Sequence, residues 1–161
     1  MKKIGTYWPL LSLVGIAVLA ASALSYSAFP RMAEWMHFFM GFFLCQFAML
    51  KIFNLEGFAD GFQKYDLVAM HSRGYAYLYP FIELGLGLGY LAFAIPEFIY
   101  CATIVVLGIG AIGVIRALSR GLDVRCACMG TQLNVPLSTV TLTEDLVMVA
   151  MAAYLLFRFY L

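Results

Sequence analysis

The sequence predicts an all-α, polytopic membrane helix bundle with five spans. Three observations carry that expectation. Of 161 residues, 64% are hydrophobic and only 12% charged, whereas a soluble domain is about half apolar and a quarter charged. Apolar stretches of roughly 20 residues recur along the chain, each long enough to cross a bilayer as a helix. The short alternating segments of a transmembrane β-barrel are not the pattern here. The partner implied by composition is the lipid bilayer, and a net charge of +1 gives no reason to expect nucleic acid.

Segment one runs from about Tyr7 to Ser27, after Met1-Lys2-Lys3. A basic start, an apolar run and small residues at Ala21, Ser22 and Ala23 also fit a secretory signal peptide. The run is long for that role, so it is read as a retained helix, and residues 1–34 as an N-terminal span with its connection. Segment two covers about Trp35 to Phe53, with Trp35 as an interface anchor. In the mixed stretch that follows, Phe58, Phe62 and Tyr65 recur at helical spacing. That spacing reads as a short helix lying on the membrane surface; an ordinary amphipathic connector is the plainer and favoured reading.

Segment three runs from about Tyr75 to Ile95, with Pro80 as an expected kink. Gly85 and Gly89 make a GxxxG pair, with Gly87 between, for close helix approach. Pro96-Glu97 is a tight turn into segment four, about Phe98 to Leu118, whose Gly108, Gly110 and Gly113 are read as a packing face. Thr141-Leu142-Thr143-Glu144 is a capping box that opens segment five. Lys2, Lys3, Lys51, Lys64, Arg73, Arg116, Arg120 and Arg125 then fall on one side of the membrane, and of the 10 basic residues only Arg31 and Arg158 fall on the other. The positive-inside rule makes the first side cytoplasmic and puts the N-terminus there. The expected location is a bacterial-type inner (cytoplasmic) membrane.

Two of the four cysteines, Cys126 and Cys128, stand one residue apart in the polar loop between segments four and five. A C-x-C pair can close a strained disulfide, and strained disulfides exchange readily. Arg120 and Arg125 nearby favour the thiolate. The same thiolates, with Met129, would suit a soft ion such as Cu(I), but they are too few for a closed zinc site. Idle loop thiols are the third reading.

Glu83 lies about eight residues into segment three, where a carboxylate needs a partner or a function. Lys51 and Arg116 match it in depth, and Asp145 and Glu144 belong to the same level. Their plainer readings are a structural ion pair for Glu83 and helix capping for the two acids. His37, Gly41 and Cys45 form one stripe of segment two, with the thiol about 12 Å deeper than the imidazole. Cys101 stands at the depth of His37. Together with Met40 these could extend a soft-metal path or a relay of thiols; packing is the alternative for Cys45 and Cys101. His71 reads as solvated, with a third-ligand role as the alternative. The nine methionines are scattered like filler.

From about residue 36 onward the chain resembles the MauE/DoxX family of redox-associated membrane proteins. The matching pieces are Met49-Leu50-Lys51-Ile52-Phe53, Pro80 to Gly87, Cys126-Ala127-Cys128-Met129-Gly130, and Pro136-Leu137-Ser138 with Thr141 to Asp145. The resemblance implies a four-helix core over residues 35–161. It also implies a methylamine-utilisation role in maturing methylamine dehydrogenase, through disulfide formation in its disulfide-rich subunit or transport of it. Versions with the Cys-Ala-Cys loop look like proteins sometimes fused to a heavy-metal-associated domain. The expected function is therefore thiol–disulfide exchange through Cys126 and Cys128 with a thioredoxin-like partner. The alternatives are heavy-metal transport with a metal-binding partner, and a structural subunit without chemistry.

Overall fold

The computed structural model describes residues 4–26, 32–121 and 139–161. These residues form six helices and no strand: α1 (Ile4–Tyr26), α2 (Met32–Phe53), α3 (Leu55–Phe62), α4 (Arg73–Leu91), α5 (Pro96–Ser119) and α6 (Thr139–Tyr160). Among them, α2 and α5 are long and apolar enough to cross a membrane, and the Leu10–Tyr26 part of α1 is a shorter apolar stretch. Glu83 in α4, and Glu144 with Asp145 in α6, dilute the apolar character of the other two long helices. The outer faces are nonetheless greasy: Leu19, Leu88, Val105, Ile112 and Phe157 are all exposed. Such rows of exposed aliphatic and aromatic side chains suit lipid rather than water.

α2 is the hub, packing on α1, α3, α4 and α6, while α5 pairs mainly with α6. Side-chain bonds fix which ends meet. Trp35 Nε1 donates to Ser22 Oγ at 3.1 Å, joining the end of α1 to the start of α2. His37 of α2 bonds to Tyr90 of α4 and Tyr100 of α5. The Tyr160 hydroxyl of α6 donates to Glu97 of α5. These contacts define one end of the bundle, the His37 end. The other end carries Lys51, α3, the start of α4 and the close of α5.

The α2–α4 contact is a close crossing. A Cβ on Gly87 would lie 2.7 Å from Cys45 Sγ, 2.9 Å from the Cys45 backbone nitrogen and 3.0 Å from the Gly41 carbonyl oxygen. A Cβ on Gly41 would in turn meet Leu91 at 2.6 Å and the Gly87 carbonyl oxygen at 3.0 Å. The expected Gly85–Gly89 pair is therefore corrected: Gly85 faces open space, and Gly89 makes room for Ile99 of α5. Of the α5 glycines, Gly113 is the close packer, against the Tyr65–Asp66 backbone, while Gly108 has nothing near it.

Two further expectations shift. α3 is capped by Asn54, whose side chain accepts from Gly57 N. Its Phe58 and Phe62 are buried inward against Tyr79, Val114 and Ala117, so its apolar face belongs to the protein core rather than to the membrane surface. α6 is already helical at Thr139, which puts the Thr141–Glu144 box inside its opening turns. The turn before α5 is left-handed at Phe93 (φ 51°) and Ile95 (φ 37°), a costly conformation for bulky side chains.

The crossing predicts a contrast between neighbouring glycines. Gly87→Ala should lose about 1–3 kcal/mol of stability by overpacking. Gly85→Ala should lose nothing and can gain up to about 1 kcal/mol from helix propensity. Thermal unfolding of both variants in one detergent checks this; equal behaviour would refute the close crossing.

Candidate functional site

Lys51 stands in the last turn of α2 and is only 4% exposed, as is Glu83 of α4. Helical spacing explains their meeting: Glu83 sits one turn before Gly87, on the same stripe, so the close crossing brings it to α2. The Lys51 ammonium donates to Glu83 Oε2. It also lies 5.0 Å from the centroid of the Tyr79 ring and 5.6 Å from that of Phe58. Phe58 of α3 and Tyr79 of α4 thus cover the ammonium with aromatic surface, and ring faces attract a desolvated cation.

Asp145, early in α6, lines a small cavity of about 20 Å³ together with Lys51, Tyr79 and Gly110. Gly110 leaves that space open: Asp145 Oδ2 and the Tyr79 hydroxyl lie 3.8 and 3.9 Å from where a Cβ would stand. Arg116, the other cation expected at this level, is exposed near the end of α5. Glu144 lies apart from this cavity, on an apolar groove of about 330 Å³ between α1, α2 and α6 that Phe39, Phe43 and Met148 also line.

Just outside the membrane-spanning helices, Asp66 sits fully buried in the connector between α3 and α4. Its Oδ1 accepts from Val68 N at 2.9 Å and Ala69 N at 2.8 Å, while Oδ2 has no hydrogen-bond partner. Burial raises its pKa above the ordinary carboxylate value, and the two backbone bonds oppose the rise without cancelling it. The sequence signal for this residue was weak, since a lone Asp between Tyr65 and Leu67 reads as a solvated turn.

At the opposite end, His37 is buried and fully engaged. Its Nδ1 lies 3.3 Å from the Tyr90 carbonyl oxygen, and Nε2 bonds to the Tyr100 hydroxyl. The neutral tautomer that satisfies both has Nδ1 donating and Nε2 accepting. Phe93 stacks on the ring with centroids 4.4 Å apart. Both imidazole nitrogens are therefore occupied, which leaves no lone pair for a metal without breaking a bond. Met40 is buried in the core. Cys45 is half-buried against Gly87, and Cys101 is exposed; both are free thiols. Among the described residues no three His, Cys, Asp or Glu side chains gather as a metal site. His71 is exposed, with Nδ1 3.0 Å from the Leu67 carbonyl oxygen. Cys126, Cys128 and Met129 lie outside the described residues, in the segment between Gly121 and Thr139 that joins α5 to α6.

Residues 29–158 match the family model of the methylamine utilisation protein MauE. The chain belongs to the MauE family. No curated protein and no solved structure matches it. The MauE match takes in α2 to α6 with the ion pair and the Cys-x-Cys segment, and leaves α1 outside. MauE membership and the apolar helices together make this a multi-pass membrane protein associated with methylamine utilisation.

Two outcomes test this site. Lys51→Met should cost about 3–5 kcal/mol, because it strands a buried carboxylate, and adding Glu83→Leu should recover most of the loss. A double-mutant cycle in detergent measures it, and additive losses would argue against a coupled pair. For Asp66 the sign follows from its raised pKa. The folded state holds that proton more tightly than the unfolded state, so the stability it provides at low pH is lost as pH rises through the folded pKa. Asp66→Asn should lack that loss, so its advantage over the parent should grow with pH across that window and then level off. Parallel stability–pH curves would contradict the assignment.

Proposed function

We propose that this MauE-family protein is a five-span inner-membrane component of thiol–disulfide exchange, with an N-terminus in the cytoplasm and Cys126 and Cys128 as the exchanging pair. The observation that carries the reading is the position of the Cys-x-Cys pair within the MauE match. It lies in the segment that joins two mutually packed helices, at the end of the bundle where basic residues concentrate. Arg116 and Arg120 close α5 on the near side of that segment. Positive charge there raises the thiolate fraction.

The exchange balances as follows. The thiolate of one cysteine attacks a sulfur of the partner's disulfide, forming a mixed disulfide and releasing one partner thiolate. The second cysteine then attacks the mixed disulfide, closing Cys126–Cys128 and releasing the partner's second sulfur. Two electrons pass to the partner, whose sulfurs take up the two protons that the pair gives up. A thioredoxin-like dithiol restores the pair by the reverse sequence. The substrate this serves is a disulfide-bearing protein in the maturation route to which the family belongs.

In cells quenched with acid, one of Cys126→Ser and Cys128→Ser should accumulate a mixed disulfide that reductant releases, and the double variant should accumulate none. Nonreducing gels read this directly. If neither single variant nor the parent forms any disulfide, and the purified protein instead takes up Cu(I) through these two residues, the exchange reading fails in favour of metal delivery. Labelling of the pair by a membrane-impermeant thiol reagent from outside the cell would overturn the orientation.

A further inference from the structure

We propose that the groove between α2 and α6 at the His37 end binds one anionic phospholipid, with its phosphodiester on Arg158 and an acyl chain along the groove. The groove has a volume of about 330 Å³. It lies between Met32 at the start of α2, Tyr100 early in α5, and Tyr154, Leu155, Arg158 and Phe159 in the last turns of α6. Tyr100 and Leu155 are buried and make its floor. Met32, Tyr154, Arg158 and Phe159 are exposed and make its rim.

Charge decides what fits. Among the described residues Arg158 has no ion pair and no hydrogen bond, and neither has the Tyr154 hydroxyl one turn before it. Of the described acids, Glu34 and Glu97 belong to this end. Glu97 accepts from the Tyr160 hydroxyl, and Glu34 does not line the groove. An arginine at the end of a membrane helix extends its head into the interfacial layer. The anions of that layer are lipid phosphates, which a guanidinium fork binds through two parallel hydrogen bonds.

The rest of the groove selects the kind of phosphate. Phe157, Phe159 and Tyr160 flank Arg158 and are exposed, as is Met32 across the groove. A hydrocarbon chain covers such surface, and a soluble anion does not. One guanidinium balances the single charge of a phosphodiester. A zwitterionic headgroup brings an ammonium as well, and no carboxylate among the described walls receives it. An anionic phospholipid meets all three conditions with one molecule. Seated there it bridges α2 and α6, which pack little on each other directly. Binding to the folded state alone stabilises that state.

The full chain, purified in detergent, tests this by titration with phosphatidylglycerol and with phosphatidylcholine of the same acyl chains. Native mass spectrometry counts bound lipid, and thermal unfolding follows stability. One phosphatidylglycerol should bind about tenfold more tightly than phosphatidylcholine, the contribution of one charge-assisted hydrogen bond, and should raise the unfolding temperature. Arg158→Gln should erase the preference, Arg158→Lys should keep part of it, and Tyr154→Phe should reduce it about threefold. Arg73→Gln, which removes an exposed arginine paired to Asp60 at the other end, should leave it intact. Glycerol 3-phosphate, the soluble probe, should neither bind nor stabilise. Binding without headgroup preference would overturn the proposal, as would a preference that survives Arg158→Gln or is lost in Arg73→Gln. Equal stabilisation by glycerol 3-phosphate would overturn it in favour of a soluble anion. A complete lack of stoichiometric lipid would also overturn it, the result expected if the connection before Met32 fills the groove. These readouts involve no thiol chemistry, so they are independent of the role of Cys126 and Cys128.

Discussion

The contact of Gly41 with Gly87 sets the rest of this fold. Where two helices touch backbone to backbone, their relative rotation is no longer free. Every residue at helical spacing from the crossing is then assigned a neighbour. On α2, His37 lies one turn before Gly41, with Cys45 one turn after it and Lys51 further along. On α4, Glu83 lies one turn before Gly87 and Tyr90 nearly one turn after. The antiparallel crossing therefore places Lys51 beside Glu83 at one end and His37 beside Tyr90 at the other. The two polar pairs are consequences of a single steric fact.

Each pair then solves the same problem by different means. A charge or an imidazole within an apolar bundle is costly unless its hydrogen bonds are met. At the His37 end the solution is a neutral ring between a carbonyl and a phenol, held by stacking on Phe93. The left-handed backbone at Phe93 and Ile95 costs roughly 1–3 kcal/mol per residue. It persists because it turns the chain tightly enough to lay Phe93 on the imidazole. At the Lys51 end the solution is an ion pair capped by α3. The ring faces of Phe58 and Tyr79 replace water around the ammonium. That need explains why α3 turns its aromatic side inward rather than into lipid.

Much of this was legible in the sequence, because composition and period decide which segments become helices and roughly where they end. The stripe of His37, Gly41 and Cys45 could be read from spacing alone. A carboxylate eight residues into an apolar segment announced its need for a partner. Spacing defines faces but not which face meets which neighbour, and the misreadings share that cause. Gly85 and Gly89 fit a GxxxG pattern, yet α4 is rotated so that Gly87 meets α2. Lys51 and Arg116 stand at similar depth, but Lys51 is buried against α4 whereas Arg116 is exposed. The Tyr100 contact to His37 joins residues far apart in sequence, with no local signal. The capping box misled because Thr139 and Val140 can continue the helix outward. The Cys126–Cys128 pair, the plainest chemical signal in the sequence, lies outside the described residues, so its surroundings rest on where α5 ends and α6 begins.

The two ends of the bundle are unequal in a way that bears on function. The His37 end is closed by an imidazole whose two nitrogens are both engaged within the protein, and by aromatic packing around it. At the Lys51 end, groups that can gain or lose protons join α6 to α2 and α4, through Asp145, Lys51 and Glu83. The Cys-x-Cys segment connects to this second end, between the last turn of α5 and the first of α6. Thiol exchange moves protons as well as electrons, because a thiolate must form before it attacks and a leaving thiolate must be quenched. A membrane protein doing that chemistry has reason to keep its titratable groups at the same end as its thiols and its inert packing at the other. The crossing at Gly41 and Gly87 separates the two.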